Sequence, residues 1–129
     1  MSDPLPSTAE RDQTLWLLVL GPFIWVVHFF VCYLSGALAC ARAADPAHSL
    51  GTVRWIVAVA TIVALTGITA VGLYGARRHR LEEAPLPHHH DTPGDRTRFL
   101  GFAAVLLASL SGVATLFVGM VALFVETCR

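Results

Sequence analysis

The chain reads as an all-α protein, a membrane-embedded three-helix bundle, and three observations predict it. Of its 129 residues 55% are apolar and only 14% are charged. The apolar residues are gathered into three long blocks, and the charges stand in the tail and linkers around them. None of the blocks has the polar face that a helix of a soluble bundle presents to water. A soluble domain this small would also need an outsized core to reach such an average composition.

The elements follow in order. Residues 1–13 (MSDPLPSTAERDQ) hold Pro, Ser and several charges and lack a basic n-region. They resemble neither a secretory signal nor a transit peptide, and read as a disordered cytoplasmic tail. A single transmembrane domain is expected over 14–126, with helices at about 15–41, 54–76 and 98–125. Each exceeds the roughly 20 residues that cross about 30 Å of hydrocarbon. With no water to pair them, backbone groups there must be satisfied within the segment, which selects helices. A β-barrel would need shorter alternating segments. Pro22, after Gly21, lacks a backbone donor and crowds the preceding turn. It either kinks the first helix or marks the start of its regular part.

Charge sets the orientation. The stretch around the expected cytoplasmic loop at 77–97 holds Arg77, Arg78, Arg80, Arg96 and Arg98, whereas the first linker has only Arg42 and Arg54. The positive-inside rule places the arginine-rich loop in the cytoplasm. The N-terminus is then also cytoplasmic, and the first linker and C-terminus are periplasmic. The chain has no lysine and is rich in Ala, Val and Leu, which points to a GC-rich bacterial genome and so to a bacterial inner membrane. Trp16, Trp55 and Tyr74 stand near span ends as interfacial anchors. A net charge of zero offers no footprint for nucleic acid.

Projected at helical spacing, Gly101, Ala104, Ala108, Ser111, Gly112, Thr115, Gly119 and Ala122 share one arc of the third helix. Such a stripe lets helices approach closely, which in lipid replaces the hydrophobic drive to associate. The first helix gathers Gly21, Trp25, His28, Cys32, Ser35, Gly36 and Ala39 on one face. The second offers a weaker seam, with Thr61, Thr66 and Thr69 able to bond back to the carbonyl four residues earlier. Helices one and three are therefore expected to be the closest pair, with little room for a cavity. Trp25, His28, Gly36, Ala108, Gly112 and Gly119 are the residues expected in helix packing or partner contact.

His28 lies near mid-span, where an ionisable side chain is a functional hypothesis by default. The expected arrangement is a neutral imidazole bonded to Ser111, Thr115 or a carbonyl across the seam. His28 and Cys32, one turn apart, are the weak candidates for a soft metal, though two ligands are too few for a site of their own. Cys40 and Cys128 fall at the outer ends of helices one and three, on the oxidising side. A disulfide between them is expected, the competing readings being free thiols or a metal-handling pair. The tract His88-His89-His90-Asp91 in the loop is compositional only and reads as a polar connector. Nucleophile-elbow, zincin, phosphate-loop and dinucleotide signatures are absent, and no span carries Asp or Glu for an ion pathway. No catalytic residue, cofactor or small-molecule substrate is expected, and the chain reads as a non-enzyme.

One run is more distinctive than hydropathy requires: Gly21-Pro22-Phe23-Ile24-Trp25-Val26-Val27-His28-Phe29-Phe30, followed by Cys32-Tyr33 and Cys40, with Cys128 near the C-terminus. It resembles the small three-span proteins encoded beside cytochrome c oxidase genes in proteobacteria, which share a P-x-x-W-x-x-H-F segment and a cysteine near each outer end. The resemblance implies a setting more than an activity, and it favours Trp25 and His28 as contacts to partner subunits. The expected function is an accessory or assembly protein in the lipid bilayer, beside other membrane subunits such as a terminal oxidase. The alternatives are a metal-handling protein for copper or haem, and a structural or regulatory membrane protein of unrelated role.

Overall fold

A computed structural model describes residues 8–44, 50–81 and 93–128 of the chain. They form three helices, α1 (Thr8–Arg42), α2 (Gly51–Leu81) and α3 (Pro93–Phe124), with no strand among the described residues. All three are long and apolar enough to cross a membrane, which makes this a multi-pass membrane protein. The end of α1, the start of α2 and the end of α3 meet at one end of the bundle, where the Leu50 N–H donates to the Glu126 carbonyl at 3.3 Å. Cys40 and Cys128 lie there too, so it is called the disulfide end. The end of α2 and the start of α3 meet at the opposite, arginine end, where Arg77 and Arg80 are exposed.

The helices outrun the sequence expectation. Thr8–Gln13, expected in the disordered tail, is the first part of α1. Arg77–Leu81 extends α2 and Pro93–Thr97 opens α3, so part of the expected loop at 77–97 is helical. Hydropathy marks only the stretch inside hydrocarbon, whereas Ala, Glu, Arg and Gln are good helix formers in any solvent. Proline suits the first turn of α3, where its missing N–H would have no partner anyway. Pro22 does not mark a helix start, because α1 continues through it. The tract at His88–Asp91 lies outside the described residues.

The packing order differs from expectation as well. The most extensive contact is between α2 and α3, not between α1 and α3. Glycines on α2 explain it. A Cβ at Gly72 would stand 3.4 Å from the Ala108 Cβ, and one at Gly75 only 3.7 Å from the Gly101 carbonyl oxygen. A Cβ at Gly112 would stand 3.8 Å from Ile68. The small-residue arc of α3 is the buried one, including Ala104, Ala108, Ser111, Thr115 and Gly119, but it is spent mainly on α2. Helix α1 comes close to α3 at Gly21, whose Cβ position lies 3.4 Å from the Ala108 Cα.

A three-helix bundle has little interior. Only 17%, 22% and 28% of the most apolar stretches of α1, α2 and α3 are buried within it. The rest faces outward, with Trp16, Trp55 and Tyr74 among the exposed aromatics. In hydrocarbon such exposure carries no penalty, since lipid tails are as apolar as leucine.

Candidate functional site

Polar chemistry inside the bundle converges on three side chains. His28 of α1 is 3% exposed, and its Nε2 lies 3.0 Å from the Thr61 hydroxyl of α2. Thr61 donates its one proton to the Val57 carbonyl at 2.7 Å. Its oxygen can then only accept from the ring, so hydrogen-bond logic assigns the proton to Nε2. The Cys32 sulfur, one turn along α1, stands 3.4 Å from the same nitrogen and can share that proton as a weak second acceptor.

The expected partners of His28 on α3 are therefore not used. Thr115, fully buried, bonds back to the Ser111 carbonyl at 2.8 Å. Back-bonding of threonines was anticipated, and Thr66 shows it too, at 2.8 Å to the Ile62 carbonyl. What sequence reasoning missed is that Thr61 does two jobs, donating within α2 and accepting from α1. The missed signal was the spacing of small residues facing it. A Cβ at Gly119 would come within 2.9 Å of the Thr61 hydroxyl oxygen. Gly119 thus lets α3 close over Thr61, and the three helices meet at one hydrogen bond.

Two nitrogens near this cluster have no partner among the described residues. They are His28 Nδ1 and Trp25 Nε1, an acceptor and a donor one turn apart on α1, both enclosed. The His28 side chain is enclosed within the bundle. Trp25 is half-buried and sits 6.1 Å, centroid to centroid, from Phe29. Phe29 in turn stacks on Tyr33 at 6.3 Å. The motif of the first helix therefore turns two ways: His28 and Cys32 inward, Phe29 and Tyr33 to the outside, where they are 42% and 62% exposed.

Cys40 and Cys128 are joined in a disulfide with a Cα separation of 5.6 Å. Cys32 is a buried free thiol. No group of three or more His, Cys, Asp or Glu close enough to share a metal ion occurs among the described residues.

A slot of about 660 Å³, open to the outside, lies between α1 and α3 in the half nearer the disulfide. Phe29, Cys32 and Gly36 line one wall, Phe117, Val121 and Ala122 the other, and Val53 and Val57 of α2 the floor. Cys32 marks its inner reach and the Cys40–Cys128 pair its outer end. Gly36 does not make the tight helix contact expected of it, for a Cβ there would meet nothing within 4 Å. Ala108, Gly112 and Gly119 do pack closely, as described above. Arg54 stands at the slot's outer end with its guanidinium 4.0 Å from a Glu126 carboxylate oxygen. No protein-family model, curated protein or solved structure matches the chain.

Proposed function

We propose that the protein is a non-catalytic accessory or assembly subunit of a membrane complex, associated with a respiratory haem–copper oxidase. The observation that supports this most is the aromatic row Trp25, Phe29 and Tyr33, of which Phe29 and Tyr33 are exposed, on the helix segment that carries the family resemblance. Aromatic side chains supply large contact area at little conformational cost and are enriched at interfaces. Phe29 and Tyr33 are exposed and also border the slot, while Trp25, half-buried, packs beside Phe29. The setting is a bacterial inner membrane, with the arginine end cytoplasmic and the disulfide end periplasmic. Arginine counts in the linkers and the disulfide itself support that orientation.

Metal handling is the weaker reading. His28 commits Nε2 to Thr61, and Cys32 is the one soft donor beside it among the described residues. The test is affinity purification of the tagged protein from native membranes in mild detergent. Oxidase subunits are expected in the eluate of the wild type and much reduced with Phe29→Ala/Tyr33→Ala. An eluate free of any oxidase component sinks the proposal.

A further inference from the structure

We infer that the slot between α1 and α3 is a binding site for one phospholipid, with an acyl chain in the slot and an ethanolamine headgroup held by Arg54 and Glu126. This does not rest on the oxidase association, and it is carried by three features of the slot.

The first is length. Along α1 the slot runs from Phe29 to Cys40, about 16 Å at 1.5 Å per residue. One leaflet is half of a hydrocarbon core of about 30 Å, so the slot is as long as one acyl chain is deep. It begins near mid-bilayer beside Cys32 and ends at the disulfide, where the helices stop. Its volume of about 660 Å³ is that of an open groove large enough for a chain-shaped ligand.

The second is polarity. Walls and floor are mostly apolar, with Tyr33 and Thr127 the polar side chains besides Arg54, the one charged residue lining the slot among the described residues. It is placed at the outer end, where a glycerophosphate would lie. A water-filled cavity would need polar partners along its walls, and these walls offer hydrocarbon and aromatic rings.

The third is charge pattern. Arg54 and Glu126 face each other at 4.0 Å, the loose limit of an ion pair, with side chains 44% and 78% exposed. Such an exposed pair is weak on its own and readily exchanged. A phosphate beside an ammonium offers each partner an opposite charge: guanidinium to phosphate, carboxylate to ammonium. An anionic glycerol headgroup would satisfy Arg54 and leave Glu126 opposed. A choline headgroup has no N–H to donate.

The experiment is native mass spectrometry of the full chain, delipidated in detergent and titrated separately with phosphatidylethanolamine, phosphatidylglycerol, phosphatidylcholine and oleate. A saturable single adduct is expected, tightest with phosphatidylethanolamine. Arg54→Gln is expected to weaken it about tenfold, the order of one charge-assisted contact. Glu126→Gln should erase the preference for ethanolamine over glycerol. Gly36→Leu, whose side chain grows into open space, should block binding. Ala122→Leu on the opposite wall is the second blocking variant, and a thermal melting midpoint like the wild type's in both shows that the fold persists. Undiminished adducts in both filled variants overturn the inference, as does equal uptake of all four probes. A slot occupied by a second copy or a partner helix would appear as a protein mass lost on filling it, and that result overturns it too.

Discussion

At the arginine end α2 and α3 touch almost backbone to backbone, whereas at the disulfide end α1 and α3 stand apart around a slot and are joined by a covalent bond. Side-chain size accounts for the contrast. The tight region pairs Gly72 and Gly75 with Gly101, Ala104 and Ala108. The open region faces Phe29 and Tyr33 with Phe117, Val118 and Val121. In lipid, bulky apolar residues gain nothing by leaving the solvent, so only close backbone approach and hydrogen bonds hold helices together. At the open end a disulfide across 88 positions of sequence joins the two helices. Between the two regions stands the His28–Thr61 bond, over which Gly119 lets α3 close.

The sharpest way to break the comparison is to cut the covalent tie. Cys40→Ser/Cys128→Ser should lower unfolding stability in mixed micelles by about 2–4 kcal/mol. That range is a ceiling, because the reference state here keeps its helices inserted and is already restricted. An unchanged midpoint would mean that packing, not the bond, holds α1 to α3 at this end. Next comes Gly119→Ala, which drives a methyl group to within 2.9 Å of the Thr61 hydroxyl oxygen. Thr61 is stiff at χ1 and tied to Val57, so it cannot simply swing away. A loss of about 1–3 kcal/mol is expected, and thermal melting with the disulfide intact would measure it.

A smaller effect belongs to the hydrogen bond itself. Thr61→Val preserves shape and removes the acceptor of His28; membrane hydrogen bonds of this kind average about 0.6 kcal/mol and reach about 1.7. A His28 nitrogen chemical shift unchanged in the variant would show that the bond contributes nothing to the ring's state. Gly36→Leu is the smallest, within about 0.5 kcal/mol, because its Cβ position is open. A large destabilisation by that variant would mean that the slot closes in the folded protein.

Much of the frame was readable from residues alone. Block length and the absence of charge inside the blocks imply three crossings, and the small residues of α3 do form its buried arc. The segments Thr8–Gln13 and Arg77–Leu81 were misjudged because hydropathy reports where a helix meets lipid and is silent about a helix that continues beyond it. Of the candidate site, His28 and Cys32 were recognisable as a pair one turn apart, since helical periodicity places them on one face. Thr61 as the partner was not, nor was the place of Arg54 at the outer end of the slot.

What the sequence determined by itself is therefore set along single helices: how many cross, which residues share a face, and which polar groups lie at mid-span. Solvent and backbone geometry dictate these without reference to any neighbour. Tertiary structure decided which face meets which helix. The small-residue arc of α3 went to α2 and left α1 to lean away at one end, opening the slot. Periodicity gives the direction of a side chain about its own axis, but pairing depends on how glycines, threonines and aromatics from three helices fit together. That fit is a property of the assembled bundle.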